Sequence, residues 1–159
     1  RPAVLADCDP TQLYVSVDAP ERATFDDVVG ATEEDAWESL IDSLDVLADH
    51  DARTVLRTTL VGGENLPTPD WYAALYRRAD PDFVELKAYM HVGPSRDRLD
   101  RAAMPDHEVV REFAAAVADH MPDHEVVREH PASRVALLAR DADTRVPKLA
   151  ADAAFWDDA

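Results

Sequence analysis

Three pairs of polar residues, the members of each two apart, interrupt otherwise apolar runs: Ser16 and Asp18 in QLYVSVD, Arg57 and Thr59 in TVLRTTLV, Glu85 and Lys87 in DFVELKAYM. A spacing of two puts both members of a pair on the same face of a β-strand. Two hydroxyls, two carboxylates, a guanidinium and an ammonium gathered on one sheet face can hold anions, orient protons and bind a small polar molecule. An exposed face would explain one such strand equally well. Three in succession point to a site.

Other motifs carry less. Gly62-Gly63-Glu64 follows a strand-like run, but it lacks the longer glycine spacing and the Lys-Ser/Thr of a phosphate loop, so it reads as a turn. The nonapeptide MPDHEVVRE occurs at 104–112 and again at 121–129. Its His107-Glu108 and His124-Glu125 do not have the four-residue histidine spacing of a metal-binding helix, and no metal site is expected. Arg96, Arg98 and Arg101 form the one notable basic cluster, suited either to contacting phosphates or to salt-bridging a loop.

The elements that must position these residues alternate. Residues 12–18 read as a strand. A helix is expected over 33–48, opened by Thr32 and three acids and patterned by Trp37, Leu40, Ile41, Leu44 and Leu47. A strand follows at 54–61, then a helix from Thr68-Pro69 to about Ala79, then a strand from Asp82. Strand, helix, strand, helix, strand with short links predicts parallel βαβ units. Leu13, Val15, Val17, Leu56, Leu60, Val84, Leu86 and Ala88 fall on one apolar face. The polar pairs fall on the other, towards the strands' C-terminal halves, where α/β sheets bind ligands.

Beyond residue 90 the two nonapeptide copies lead into different neighbours. The first continues as REFAAAVADH and predicts a helix. The second meets His130-Pro131-Ala132-Ser133 and predicts a strand that pairs with 134–139, so the copies are not a structural repeat.

Bulk composition sets bounds. A chain of 159 residues suffices for one ordinary domain. Its net charge of -17, with scattered acids and only Lys87 and Lys148 as lysines, reads as the solvated surface of a protein from a salt-rich environment, with a basic partner or a metal as the other reading. A local basic site can persist within such an envelope. No apolar run approaches a membrane span, and a cytoplasmic protein is expected. The chain opens on Arg1-Pro2, which reads as a fragment or processed piece.

The segments PTQLYVSVDAP (10–20), RTVLRTTLVGGEN (53–65), PDFVELKAYMHVGPSRDRL (81–99), MPDHEVVREF (104–113) and SRVALLAR (133–140), in that order, resemble the C-terminal half of the tRNA 4-demethylwyosine synthases. These are radical S-adenosylmethionine enzymes of archaea with a eukaryotic counterpart. The resemblance covers residues 1–140 and implies an α/β fold: the C-terminal half of a partial parallel (βα) radical-SAM barrel, strands four to six, plus a C-terminal helix and β-hairpin. It divides the chain into the second half of the barrel (1–93), a wyosine base-formation extension (94–140) and an acidic tail (141–159); the tail's Phe155-Trp156 reads as a pair that docks onto the domain or onto a part of the protein outside this sequence.

The family converts N1-methylguanosine beside the anticodon of phenylalanine tRNA into tricyclic 4-demethylwyosine, using pyruvate, S-adenosylmethionine and iron–sulfur clusters. By this resemblance Lys87 and Glu85 are catalytic. Ser16, Asp18, Arg57, Thr59 and Asn65 bind cofactor, and His91, Arg96, Arg98, Arg101 and His107 face substrate or tRNA. The family's lysine–glycine–aromatic–asparagine segment is matched at Gly63 and Asn65 but not at Gly62 and Glu64, so its lysine contact is lost. Cys8 alone cannot ligate a cluster, so the cluster cysteines are expected upstream of Arg1, and the chain by itself is expected to be inactive. Partners are tRNA and pyruvate, the expected state is a monomer, and no membrane is involved. The alternative is a separately encoded, non-catalytic tRNA-binding or accessory half-domain.

Overall fold

A computed structural model describes residues 2–66 and 68–140; the expected acidic tail and its Phe155-Trp156 lie outside them. The elements run α1 (Pro2–Ala6), β1 (Gln12–Ser16), α2 (Arg22–Val29), α3 (Ala36–Ala48), β2 (Arg53–Leu60), α4 (Pro69–Ala79), β3 (Phe83–Ala88), α5 (His107–Ala118), β4 (Glu125–His130) and β5 (Val135–Ala139). Two short 3-10 helices, Gly93–Asp97 and Arg101–Ala103, lie between β3 and α5.

Among the described residues five strands form one mixed sheet in the order β1-β2-β3-β5-β4. The first three are parallel, as the βαβ alternation predicts. The hairpin predicted from the second nonapeptide forms, with β4 and β5 antiparallel. It does not stand apart: β5 lies antiparallel along β3 and extends the same sheet.

One face of the sheet carries the core. Val17, Leu56, Leu60, Val84, Leu86, Ala88, Ala136 and Leu138 point to it and pack against Leu44 and Leu47 of α3, Tyr72 and Tyr76 of α4, and Val110, Phe113 and Val117 of α5. Each helix meets the sheet with residues three or four apart, the stripe an amphipathic helix must bury. Thr58, also on this face, is fully buried; its hydroxyl donates to the Val17 carbonyl at 2.6 Å and lies 2.6 Å from the Tyr76 hydroxyl. A polar group this deep is tolerated because it is bonded.

Two expectations are corrected. The first of the predicted helices begins at Ala36, not 33, because residues 31–35 form a turn before the Asp35 cap. The segment between β1 and that helix, to which the sequence pattern assigns no element, contains α2, which buries only Phe25, edge-on to Trp37 at 5.5 Å. One buried side chain leaves little periodic signal to read.

Candidate functional site

The strand register assembles the polar pairs. Ser16 is opposite Arg57, and Arg57 is opposite Glu85; one step further along, Thr59 is opposite Lys87. Residues paired across neighbouring strands share a face, so these five lie together on the side away from the main core. Arg57 Nε donates to Glu85 Oε1 at 2.8 Å. The guanidinium also lies over the Tyr14 ring, 5.0 Å from its centroid, close enough for cation–π attraction. Lys87 is half-buried, and its side chain makes no hydrogen bond or ion pair among the described residues.

Asp18 lies just past the end of β1, where its Oδ1 accepts from the backbone N–H of Thr59 at 2.7 Å. Burial pushes its carboxyl above the ordinary aspartate range, opposed by the Thr59 hydrogen bonds and the Arg57 charge. Asn65 fixes this corner. Its amide donates to the Asp18 and Thr59 carbonyls, both at 2.8 Å, and its oxygen accepts from Val61 N–H at 2.7 Å. Asn65 is 1% exposed, and both of its amide donors are engaged by backbone carbonyls. In this arrangement the expected binding residue braces the ends of β1 and β2.

The same ends are roofed by the segment after β3. Gly62 N–H donates to the Ala103 carbonyl at 2.8 Å, and a Cβ on Gly62 would come within 3.3 Å of that oxygen. Glycine therefore allows the second 3-10 helix to approach. Tyr89 OH lies 3.2 Å from His91 Nδ1 and donates to the Ser95 carbonyl at 3.3 Å. Arg96 Nε donates to the His91 carbonyl at 3.2 Å. Arg98 and Arg101 are exposed, and their side chains have no partner among the described residues. By contrast, Arg22, Arg57, Arg78, Arg111 and Arg140 each pair with an acid. Of the two readings of the arginine cluster, the salt-bridged loop does not apply to these two residues.

His107 is not brought to the polar face. Its Nε2 donates to Glu129 Oε2 at 2.9 Å, and Glu129 pairs in register with Ala136, a core-facing residue. Its Nδ1 is buried without a partner. The expected substrate contact is instead engaged with Glu129 across the two nonapeptide copies. Tyr14 is the residue that sequence reasoning missed: it shares the i, i+2 parity of Ser16, but an aromatic residue in a strand reads as packing. Among the described residues no three His, Cys, Asp or Glu side chains are grouped to hold a metal ion, and no helix is long and apolar enough to cross a membrane.

Residues 78–140 match the family model described as wyosine base formation. The S-adenosyl-L-methionine-dependent tRNA 4-demethylwyosine synthase of Pyrococcus horikoshii is 47% identical over 132 residues, covering 83% of this chain and 39% of that protein. This chain belongs to the tRNA 4-demethylwyosine synthase family. The Methanocaldococcus jannaschii member is 38% identical over 146 residues, covering 92% of the chain and 46% of its own length. The chain thus spans less than half of these relatives. A solved structure of TYW1 with a lysine–pyruvate adduct bound superposes with a TM-score of 0.78 at 35% identity, over 87% of this chain and 43% of that one.

Proposed function

We propose that this chain is the C-terminal part of a radical S-adenosylmethionine lyase that makes 4-demethylwyosine from N1-methylguanosine beside the anticodon of phenylalanine tRNA, with pyruvate as carbon donor. The observation that carries this reading is the row Ser16–Arg57–Glu85, continued by Asp18, Thr59 and Lys87 at the C-terminal ends of parallel strands, where α/β folds bind ligands. In this reading β1 to β3 are the fourth to sixth strands of a partial (βα) barrel, and the enzyme works as a cytoplasmic monomer. The relatives' name supports dependence on S-adenosylmethionine, and the adduct in the solved neighbour supports pyruvate.

The donor sets separate the two cofactors. The described residues do not fit an iron–sulfur cluster: the sole cysteine, Cys8, donates its thiol to the Leu5 carbonyl at 3.0 Å, and the cluster ligands are expected outside this chain. The polar face does fit S-adenosylmethionine, which has a carboxylate and an ammonium for Arg57 and Asp18 and ribose hydroxyls for Ser16. When bound, that cofactor supplies the initiation of radical chemistry. This chain's own residues orient and exclude. Lys87 and Arg57 hold anionic groups, Glu85 sets the Arg57 edge, and the Thr59 N–H with Asn65 keeps Asp18 in place. His91, Arg96, Arg98 and Arg101 face tRNA, the two unpaired arginines binding phosphate.

The test is product formation. The full-length protein carrying this chain, incubated anaerobically with N1-methylguanosine-containing tRNA, pyruvate, S-adenosylmethionine and a reductant, is expected to yield 4-demethylwyosine by nucleoside mass spectrometry. Cluster-loaded protein that binds the tRNA but leaves N1-methylguanosine intact contradicts the reading.

A further inference from the structure

Three of the four tyrosines are buried: Tyr72 and Tyr76 at 0% exposure and Tyr89 at 7%, whereas Tyr14 is 50% exposed. Its ring lies on the polar face and belongs to neither hydrophobic cluster. What it does contact is the Arg57 guanidinium, whose central carbon lies over the ring, 5.0 Å from the ring centroid. The Nε edge of the same group is bound by Glu85 at 2.8 Å. Glu85 is itself well covered, with 16% of its side chain exposed against 42% for Arg57. One guanidinium is therefore held on two sides, by a ring beneath it and a carboxylate at its inner edge.

The two terminal nitrogens are left over. They make no hydrogen bond among the described residues, and a guanidinium's terminal pair matches a carboxylate in bidentate geometry. Lys87, two residues beyond Glu85 on the same face, adds a positive charge with no acid neutralising it among the described residues. A side chain already fixed by its neighbours loses its rotamer freedom on folding rather than on binding, which strengthens binding without adding a contact to the ligand.

We propose that Tyr14 is a positioning residue which, with Glu85, aims the terminal nitrogens of Arg57 at the carboxylate of a small substrate. The inference rests on the function proposed above and deepens it. Two molecules of that reaction carry such a carboxylate, pyruvate and S-adenosylmethionine, and kinetics distinguish them.

In the full-length enzyme, Tyr14→Leu is expected to raise KM for one of the two about tenfold, the scale of a lost cation–π contact, with kcat within about twofold. Tyr14→Phe keeps the ring face and restores the wild-type KM. Arg57→Lys, which cannot form the fork, raises the same KM at least as much. The substrate whose KM moves is the one Arg57 holds. Where Tyr14→Leu fails to fold, Glu85→Gln, which keeps the side-chain shape and weakens the Nε bond, is expected to raise that KM too. Unchanged KM values for both substrates in Tyr14→Leu, beside a raised one in Arg57→Lys, overturn the role of Tyr14 and leave the proposed function standing. A folded, cluster-loaded wild type without product fails the function itself.

Discussion

The two copies of MPDHEVVRE are identical in sequence and different in structure. In the first, Asp106 caps a helix, its Oδ1 accepting from Val109 N–H at 3.2 Å. Val110 is then fully buried and Val109 37% exposed. In the second, the corresponding valines are Val126 and Val127, which lie beside a bulge in β4 and pack on opposite faces, Val126 towards the main core and Val127 against Val55, Phe83 and Ala139. Local propensity is the same in both, so the neighbours decide. Phe113, Ala114 and Val117 extend the first copy's buried stripe. Pro131 biases His130 away from helix and limits any helix in the second copy to under about two turns, too short to persist alone, while Val135–Ala139 supplies a partner strand. The copies also meet, since His107 of the first bonds Glu129 of the second.

This contrast can be broken in graded steps. The largest effect is expected from Phe113→Ala, which empties the stripe that makes the first copy helical and should cost about 3–5 kcal/mol in denaturant unfolding. A loss under about 1 kcal/mol would mean that the first copy is helical without its downstream neighbours. Next comes the cap: Asp106→Ala should cost about 1 kcal/mol, whereas Asp123→Ala, at the same place in the second copy, should stay within about 0.5 kcal/mol. Equal losses would show that the aspartates do the same job.

The smallest effect concerns the histidines. Burial holds the His124 imidazole below its ordinary value of 6.5, with the hydrogen bond to the Pro81 carbonyl acting the other way. The unfolded chain then takes up the proton more readily, so the fold loses stability as pH falls through 6.5 towards the depressed native value. His124→Gln should flatten the acid side of the stability profile, read as urea midpoints between about pH 5 and 7.5. A profile as steep as the wild type's would remove His124 as the cause.

Local and non-local signals differ in the same way across the rest of the molecule. The bounds of α4 follow from Pro69 and the spacing of Tyr72, Ala73, Tyr76 and Ala79, all local signals. The polar face follows from i, i+2 parity, and the register then brings Ser16, Arg57 and Glu85 into one row. The attachment of β5 to β3 is not local: strand order depends on which edges are free once the chain has folded. Asn65 carried a family expectation, yet its burial and bonds make it a brace. Nothing along the sequence separates a side chain that reaches a ligand from one that holds the side chain that does. The same limit hid Tyr14 and turned His107 inward.

The central claim is that the polar face at the strand ends is where chemistry happens, and Lys87 tests it most directly. In the full-length protein, Lys87→Ala should lower 4-demethylwyosine formation at least about a hundredfold, with iron content, tRNA affinity and melting temperature as in the wild type. Product formation within about twofold of the wild type would contradict the account.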